Sequence, residues 1–339
     1  MNKYLNNACE AIYNNGGLNT QTILNLRKLQ VPAAYRNKDA HNEAKAILEG
    51  IGYDCVTMAL GSKVYDNSEY ENFAIKYITD FCSKNTELSP KFLDDTHLVV
   101  CTRLFHLVDA SVMLKDKMTY DQIALVSEWI RSIYIPSCKK KLDSVIYKHS
   151  NHAAWALLGL GISYKFFGET DNITKLIRDV EKNLKQSTGK QPFLTKIFGK
   201  YTSNKDEYWI ENIRANMGLY YTYYHTIPLV RLNMLFEENG DNTQNIRETL
   251  KAITDQIFSY AKGDDVWKYK QTSIPILKQI QQLIFPSSDS FRELTPGGKS
   301  SVLFEMLDTG EYLDWYKNQL PLNQDGAYRH STIRKELKL

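Results

Sequence analysis

The sequence has 339 residues, with 42 basic and 39 acidic side chains for a net charge of +3, and 43% of its residues are hydrophobic. This length and composition are ordinary for a globular protein with a sizeable core. So mild a charge argues against a general nucleic-acid binder, which would carry a concentrated basic surface, but it permits a local basic groove. The 22 tyrosines are the compositional outlier. They suit a carbohydrate ligand, although a biased genome would also explain them.

The five cysteines are widely spaced and form no C-x-x-C pair. This pattern argues against a zinc site or a disulfide framework and predicts buried free thiols. Residues 1–17 lack an apolar segment after a basic start, so no secretory signal is predicted. No run approaches the length that a transmembrane helix requires, so no membrane partner is expected.

Helical periodicity dominates the chain. A loop is predicted over Pro32–Asp39. Helices are predicted, in chain order, over Thr20–Leu29, Glu43–Gly50, Glu71–Lys84, Leu93–Leu114, a segment opened by a capping box at Thr119–Gln122 and broken by Pro136, Val145–Phe167, Asn172–Lys185, Asp206–Glu237, Thr243–Lys262, Ile274–Phe285 and Ser300–Gln319.

Many helices with short links and no strands of period two predict an all-α protein made of antiparallel helix pairs. No linker divides the chain. The sequence therefore predicts a single domain over residues 1–339, in which residues 323–339 form a polar, basic tail.

The segment Tyr208–Pro228 is rich in polar aromatic residues. As a helix it places Arg214, Tyr221 and His225 on one face, because seven and four residues separate them. A guanidinium, a phenol and an imidazole on one rigid face can neutralise an anion and move a proton. The ordinary alternative is a surface cation beside hydrogen-bonded core residues.

A second polar motif, Asn151-His152 followed by Trp155, opens a long apolar run. The motifs Asn-His-x-x-Trp and Arg-x6-Tyr, in this order, resemble those of the alginate lyase family of helical toroid enzymes. Weaker similarity runs from about Val31 to Leu320. The resemblance implies an incomplete (α/α) toroid of antiparallel helix pairs, with a groove at one end.

The resemblance also implies which residues carry out catalysis. In a β-elimination, a base removes the C5 proton of a uronate and the C4 oxygen leaves. Tyr221 would be base and acid, Arg214 would stabilise its phenolate, and Asn151 with His152 would neutralise the substrate carboxylate. For guluronate, whose C5 proton lies on the opposite face, His152 could be the base and Tyr221 the acid. This chemistry requires no metal and no cofactor.

A lid loop with a Lys-Tyr pair is expected near Pro32–Asp39 from the same resemblance. Tyr35 matches the tyrosine, but Ala34 stands where the lysine is expected. Arg36 or Lys38 could replace it. An exposed loop between helices is an equally good interpretation of these residues.

Three more residues are candidates for substrate binding: Arg103, Tyr220 and His225. Tyr220 matches an aromatic position of the family, and His225 shares the face of Tyr221. Arg103 lies on an early helix that carries substrate contacts in the family. A structural salt bridge is the favoured alternative for Arg103, and a hydrogen-bonded core group for the nearby His106.

The expected function is cleavage of alginate, either polymannuronate or a mixed mannuronate–guluronate polymer. A lyase for another uronate polymer, such as glucuronan or a glycosaminoglycan, and a noncatalytic carbohydrate-binding scaffold are the alternatives. We expect a monomer whose partner is an acidic polysaccharide rather than nucleic acid. Because relatives are exported, either a signal has been removed or the protein reaches its polymer in another way, of which release by lysis, as for a phage-encoded enzyme, is one option.

Overall fold

A computed structural model of the protein describes residues 3–17, 28–88, 95–143, 150–187, 218–250 and 253. Helix accounts for 83% of these residues, so the predicted all-α class is confirmed for the part of the chain that is described. The closure of the helices into a toroid stays a prediction.

The described chain consists of helices of 8 to 28 residues joined mostly by short turns. The α-helices are α1 (Lys3–Asn14), α2 (Lys38–Tyr65), α3 (Ser68–Lys84), α4 (Thr96–Arg103), α5 (Phe105–Leu114), α6 (Tyr120–Trp129), α7 (Ile135–Leu142), α8 (Asn151–Phe167), α9 (Thr170–Ser187) and α10 (Gly218–Glu238). A 3-10 turn covers Lys115–Lys117, and residues 244–250 are helical.

The chain forms two compact units. Described residues of the first unit lie within 3–143 and 159–170, and those of the second within 150–158 and 171–253. The boundary between the units falls inside α8. The single domain expected over residues 1–339 stays a prediction.

Helix α2 is the centre of the first unit and packs against α1, α3, α4 and α5. The run Ile51–Ser62 is buried on every side of the helix. The sequence pattern predicted only Glu43–Gly50 here. A helix that is apolar all round has no polar face, so its period of 3.6 residues disappears from the sequence.

Two glycines bring neighbouring helices close to α2. A Cβ atom at Gly52 would lie 2.6 Å from the carbonyl oxygen of Arg103, at the end of α4. A Cβ atom at Gly61 would overlap Sγ of Cys9 in α1. A side chain at Gly52 or at Gly61 would therefore clash with the neighbouring helix.

A pair of two-residue strands is the only departure from helix among the described elements. Strand β1 (Lys28–Leu29) pairs in parallel with β2 (Glu87–Leu88), with Leu29 opposite Leu88. The prediction of helix over Thr20–Leu29 is wrong at its last two residues, and residues 18–27 lie outside the described part. Extended backbone lets Leu29 bury its side chain while its strand pairs with a distant segment.

Pro136 does not end the helical path, in contrast to the expectation. A π-helical turn, Ile130–Tyr134, follows α6, and Pro136 then sits in the first turn of α7. A proline is tolerated there because the first turn of a helix leaves its N–H groups without intrahelical acceptors. The capping box at Thr119 and Gln122 is confirmed, with both reciprocal hydrogen bonds present.

Thr96–Lys117 is the one described stretch that is long and apolar enough to cross a membrane. The expectation that no segment approaches such a length is therefore wrong for these 22 residues. However, 78% of its most apolar window is buried inside the protein, and a turn at Leu104 separates α4 from α5. Core helices pass the same test, so the finding is weak evidence for a membrane span.

We expect Gly61→Ala to lower the free energy of unfolding by about 1–2 kcal/mol, because the added methyl group overlaps the buried Cys9 thiol. An alanine in a helix interior would otherwise be favoured by about 1 kcal/mol. Urea unfolding measures the difference. In the double variant Cys9→Ala/Gly61→Ala the overlap is removed, so its loss should be smaller than the sum of the two single losses. Additive losses would contradict this contact.

Candidate functional site

Asn151 and His152 are the first two residues of α8, as the motif predicted. The Ser150 hydroxyl accepts the His152 N–H at 3.2 Å, and the Ser150 carbonyl accepts the N–H of Ala153 at 3.0 Å. The two polar side chains are thus held in the first turn, where the helix dipole is positive. This is a favourable position for residues that neutralise a carboxylate.

The two side chains differ in accessibility. Asn151 is 2% exposed, whereas His152 is half-buried. Trp155, one turn further along, has no exposed surface, as its interpretation as a core residue requires. A polar pair therefore sits directly on the apolar start of α8, where each polar atom needs a partner.

Helix α10 covers Tyr220, Tyr221 and His225, so the helix predicted for this segment is confirmed over 218–238. Tyr221 and His225 are four residues apart and therefore share a face. Arg214 lies outside the described residues, as do the side chains of Tyr220 and Tyr221. Their predicted roles stay predictions.

His225 is completely buried in the second unit. Its Nε2 atom lies 2.8 Å from Oδ1 of Asn183 in α9. An amide oxygen only accepts, so Nε2 carries the hydrogen and donates it. This bond ties α10 to α9 one turn after Tyr221 and favours a positioning role, while substrate contact by His225 stays a prediction.

The predicted lid loop is anchored at its base. The N–H of Val31 donates to Oγ1 of Thr96 at 2.8 Å, and the N–H of Ala34 donates to Oδ2 of Asp95 at 3.0 Å. His41 places Nδ1 2.9 Å from the Pro32 carbonyl oxygen and 3.3 Å from Oδ2 of Asp95. The loop is therefore fixed to the start of α4.

The tip of the loop is open to solvent. Tyr35 is 75% exposed, and the Arg36 guanidinium carbon lies 5.5 Å from the centre of its ring. Lys38 is exposed at the first position of α2. The structure thus brings two of the three lid candidates into contact, on an anchored base. A substrate lid and an exposed loop remain equally compatible with this arrangement.

Asp95 links the start of α4 to the preceding loop. It occupies the N-cap position of α4, but its carboxylate makes no capping bond. It accepts from Ala34 and faces His41 instead. The Asp95 carboxylate therefore bonds to the loop over residues 31–37 rather than to the N–H groups of α4. The preceding residue, Asp94, lies outside the described residues.

Arg103 forms the salt bridge that the sequence offered as the alternative to substrate binding. Its Nη1 atom lies 2.8 Å from Oε1 of Glu49, and only 8% of the residue is exposed. The Tyr53 hydroxyl donates to the same Glu49 oxygen at 3.2 Å. The His106 ring lies 4.6 Å from the Tyr53 ring, between centroids. Substrate contact by Arg103 stays a prediction.

Lys45 completes this group, which we call the Glu49–Arg103 cluster: Lys45, Glu49, Tyr53, Arg103 and His106. Lys45, Glu49 and Tyr53 follow one another at four-residue intervals on one face of α2. Burial lowers the pKa of the Lys45 amine, and the Arg103 charge lowers it further, while Glu49 opposes the shift. Lys45, Glu49 and Tyr53 were not among the predicted site residues, although their regular spacing was a usable signal.

The five cysteines are buried free thiols, as predicted. Burial raises the pKa of Cys9 to about 12, so this thiol is neutral and unreactive near pH 7. Within the described ranges, no group of three or more His, Cys, Asp or Glu side chains could hold a metal ion.

No protein-family model matches the sequence, and no curated protein matches it. The resemblance to alginate lyases therefore rests on the motifs at Asn151-His152 and at Arg214 to Tyr221.

We expect Glu49→Gln to lower the free energy of unfolding by about 2–3 kcal/mol, because it leaves the buried Arg103 guanidinium without its carboxylate. Glu169→Gln is the matched control. It removes the same charge from a pair with Arg131, whose side chain is 56% exposed, and should cost less than about 1 kcal/mol. Urea unfolding of both variants provides the comparison. Equal losses would contradict the burial argument.

Proposed function

We propose that the protein is a polysaccharide lyase that cleaves alginate, as polymannuronate or a mixed mannuronate–guluronate polymer, within an (α/α) toroid of helix pairs. The observation that carries the proposal is the position of Asn151 and His152 in the first turn of α8. Their order before the helix that contains Tyr221 is that of the alginate lyase motifs. The all-α fold supports the same family.

The chemistry gives each residue a task. Removing the C5 proton of a uronate builds negative charge on the neighbouring carboxylate. Asn151 supplies directional amide hydrogen bonds, and His152 supplies an imidazole, both at the positive end of α8. Donors placed before the reaction begins lower the barrier because they need no reorganisation.

Proton transfer falls to Tyr221 in this proposal. A nearby guanidinium, assigned to Arg214, stabilises the phenolate and lowers its pKa from about 10. The phenolate takes the C5 proton, and the phenol then returns a proton to the leaving C4 oxygen. On guluronate, His152 takes the proton and Tyr221 remains the acid. Tyr221 alone thus moves the proton on mannuronate, and His152 and Tyr221 share the task on guluronate, in both cases without water adding to the bond.

The hydrogen-bonded pair His225 and Asn183 supports this assignment because it holds the helix that carries Tyr221. Their buried hydrogen bond fixes α10 one turn beyond Tyr221. A base must stay within hydrogen-bond reach of the proton that it removes, so a rigid helix is an advantage. The lid candidates Tyr35, Arg36 and Lys38 would contact polymer from a loop anchored on Thr96 and Asp95.

We expect Tyr221→Phe to abolish the rise in ultraviolet absorbance that the wild-type protein gives with polymannuronate, because phenylalanine cannot carry the proton. Elimination forms a conjugated unsaturated uronate that absorbs, whereas hydrolysis does not. Loss of a general acid–base group costs about 10²–10⁴-fold in rate. Tyr120→Phe removes the hydroxyl of a tyrosine that is 85% exposed and should retain wild-type activity.

A panel of uronate polymers separates the alternatives. A signal on glucuronan or a glycosaminoglycan alone would replace alginate as the substrate. No signal on any polymer, or full activity of Tyr221→Phe, would contradict the proposed mechanism. Polymer binding without product would instead indicate a noncatalytic scaffold.

A further inference from the structure

Two helices of the described chain end at an asparagine followed by a glycine. Asn15-Gly16 follows α1, and Asn239-Gly240 follows α10; these are the two Asn-Gly pairs of the sequence. Both glycines have a positive φ, 66° at Gly16 and 83° at Gly240. This left-handed conformation commonly ends a helix and suits a residue without a Cβ atom.

The backbone of the two helix ends is also the same. The N–H of Gly16 donates to the Tyr13 carbonyl at 3.1 Å, and the N–H of Gly240 donates to the Glu237 carbonyl at 3.0 Å. In the folded protein, each glycine nitrogen is thus held in a hydrogen bond. Any difference in reactivity between the two pairs must come from the asparagine side chains and their surroundings.

An asparagine followed by glycine can lose its side-chain amide without an enzyme. The backbone nitrogen of the glycine attacks Cγ of the asparagine, and the Cγ–Nδ2 bond breaks. Ammonia leaves with the proton that the backbone nitrogen gives up. Water then opens the cyclic imide and leaves aspartate or isoaspartate. Glycine favours the attack because it has no side chain to obstruct it.

The Asn239 side chain is held by partners that include a residue of another helix. Its Nδ2 atom donates to Oγ1 of Thr174 in α9 at 3.3 Å and to Oδ2 of Asp241 at 2.9 Å. The Thr174 hydroxyl donates to the other Asp241 oxygen at 2.7 Å, so the three side chains form a closed group. Asn239 is also half-buried. Attack by the Gly240 nitrogen therefore requires this group to open first.

The Asn15 side chain has only a local attachment. Its Nδ2 atom donates to the Ala11 carbonyl, in its own helix, at 2.7 Å, and the residue is exposed. Water readily replaces an exposed hydrogen bond, and the last turn of a helix opens more easily than its interior. Asn15 can therefore reach the geometry of attack by a local motion.

We propose that Asn15 is a site of spontaneous deamidation, from which Asn239 is protected, and that the product loosens the end of α1. The new carboxylate would lie at the C-terminal end of α1, where the helix dipole is negative. The isoaspartate form also lengthens the main chain and so disturbs the helix end. Water is the only co-reactant, and the site is independent of the lyase proposal.

The first test compares the two sites in one sample. Wild-type protein is aged in a mildly alkaline buffer and digested, and mass spectrometry measures deamidation in each peptide. Asn15 should react about tenfold faster than Asn239, because Asn239 must first lose two side-chain hydrogen bonds. In urea-unfolded protein the two rates should agree within about twofold, because glycine follows both asparagines.

The second test changes each site separately. Thr174→Val removes one partner of Asn239 from an exposed position, so the fold should survive. Deamidation of Asn239 should then rise about threefold, and that of Asn15 should stay as in the wild type. Asn15→Gln should abolish the reaction at residue 15, because a glutamine would have to close a larger ring.

The third test follows the effect on α1. Amide hydrogen exchange in α1 should be about two- to fivefold faster in the deamidated fraction of aged wild-type protein than in fresh protein. Aged Asn15→Gln is the matched control and should exchange as it did when fresh.

The proposal is overturned if Asn15 stays intact in the folded protein, or if Asn239 reacts as fast. A tenfold difference that persists in urea would also overturn it, because the sequence rather than the structure would then set the rates. Unchanged exchange in α1 after deamidation would contradict the loosening. Since no readout uses polymer cleavage, a failed lyase assay leaves these results unaffected.

Discussion

The absence of a side chain at Gly52 is the constraint on which the centre of the first unit depends. At this point the backbone of α2 meets the carbonyl oxygen of Arg103, and a Cβ atom would lie 2.6 Å from that oxygen. This approach brings the end of α4 against α2. It therefore also places the Arg103 guanidinium on Glu49, one turn earlier in the helix. The close packing of α2 with α4 and the position of the Arg103–Glu49 pair therefore depend on the same glycine.

The all-α class and most helices of the described chain could be predicted from periodicity, because an amphipathic helix repeats its apolar residues every 3.6 positions. A helix without that repeat leaves no such pattern in the sequence. Helix α2 is buried on every side over Ile51–Ser62, so this part of its 28 residues has no polar face to reveal it. The expected break at Pro136 does not occur, because a π-helical turn that the sequence pattern does not reveal precedes it.

Some residues of the candidate sites could likewise be predicted from the sequence, and others could not. Asn151 and His152 could be placed at the start of a buried helix, because the polar pair and the apolar run are adjacent in sequence. The partner of Arg103 could not be found, since Glu49 lies 54 residues earlier and the contact depends on tertiary packing. The importance of Lys45 could not be predicted for the same reason. Its charge becomes significant only when Arg103 and a half-buried position are brought to it.

Gly52→Ala tests the central claim, that the close contact of α2 with α4 sets both the packing and the cluster. The account predicts a loss of about 1–3 kcal/mol in the free energy of unfolding, although alanine is the better helix former. It also predicts that the reactivity of Lys45 toward an acylating reagent falls, because burial still lowers the pKa of its amine but the further lowering by the Arg103 charge is lost. A variant at least as stable as the wild type, with unchanged Lys45 reactivity, would contradict the account.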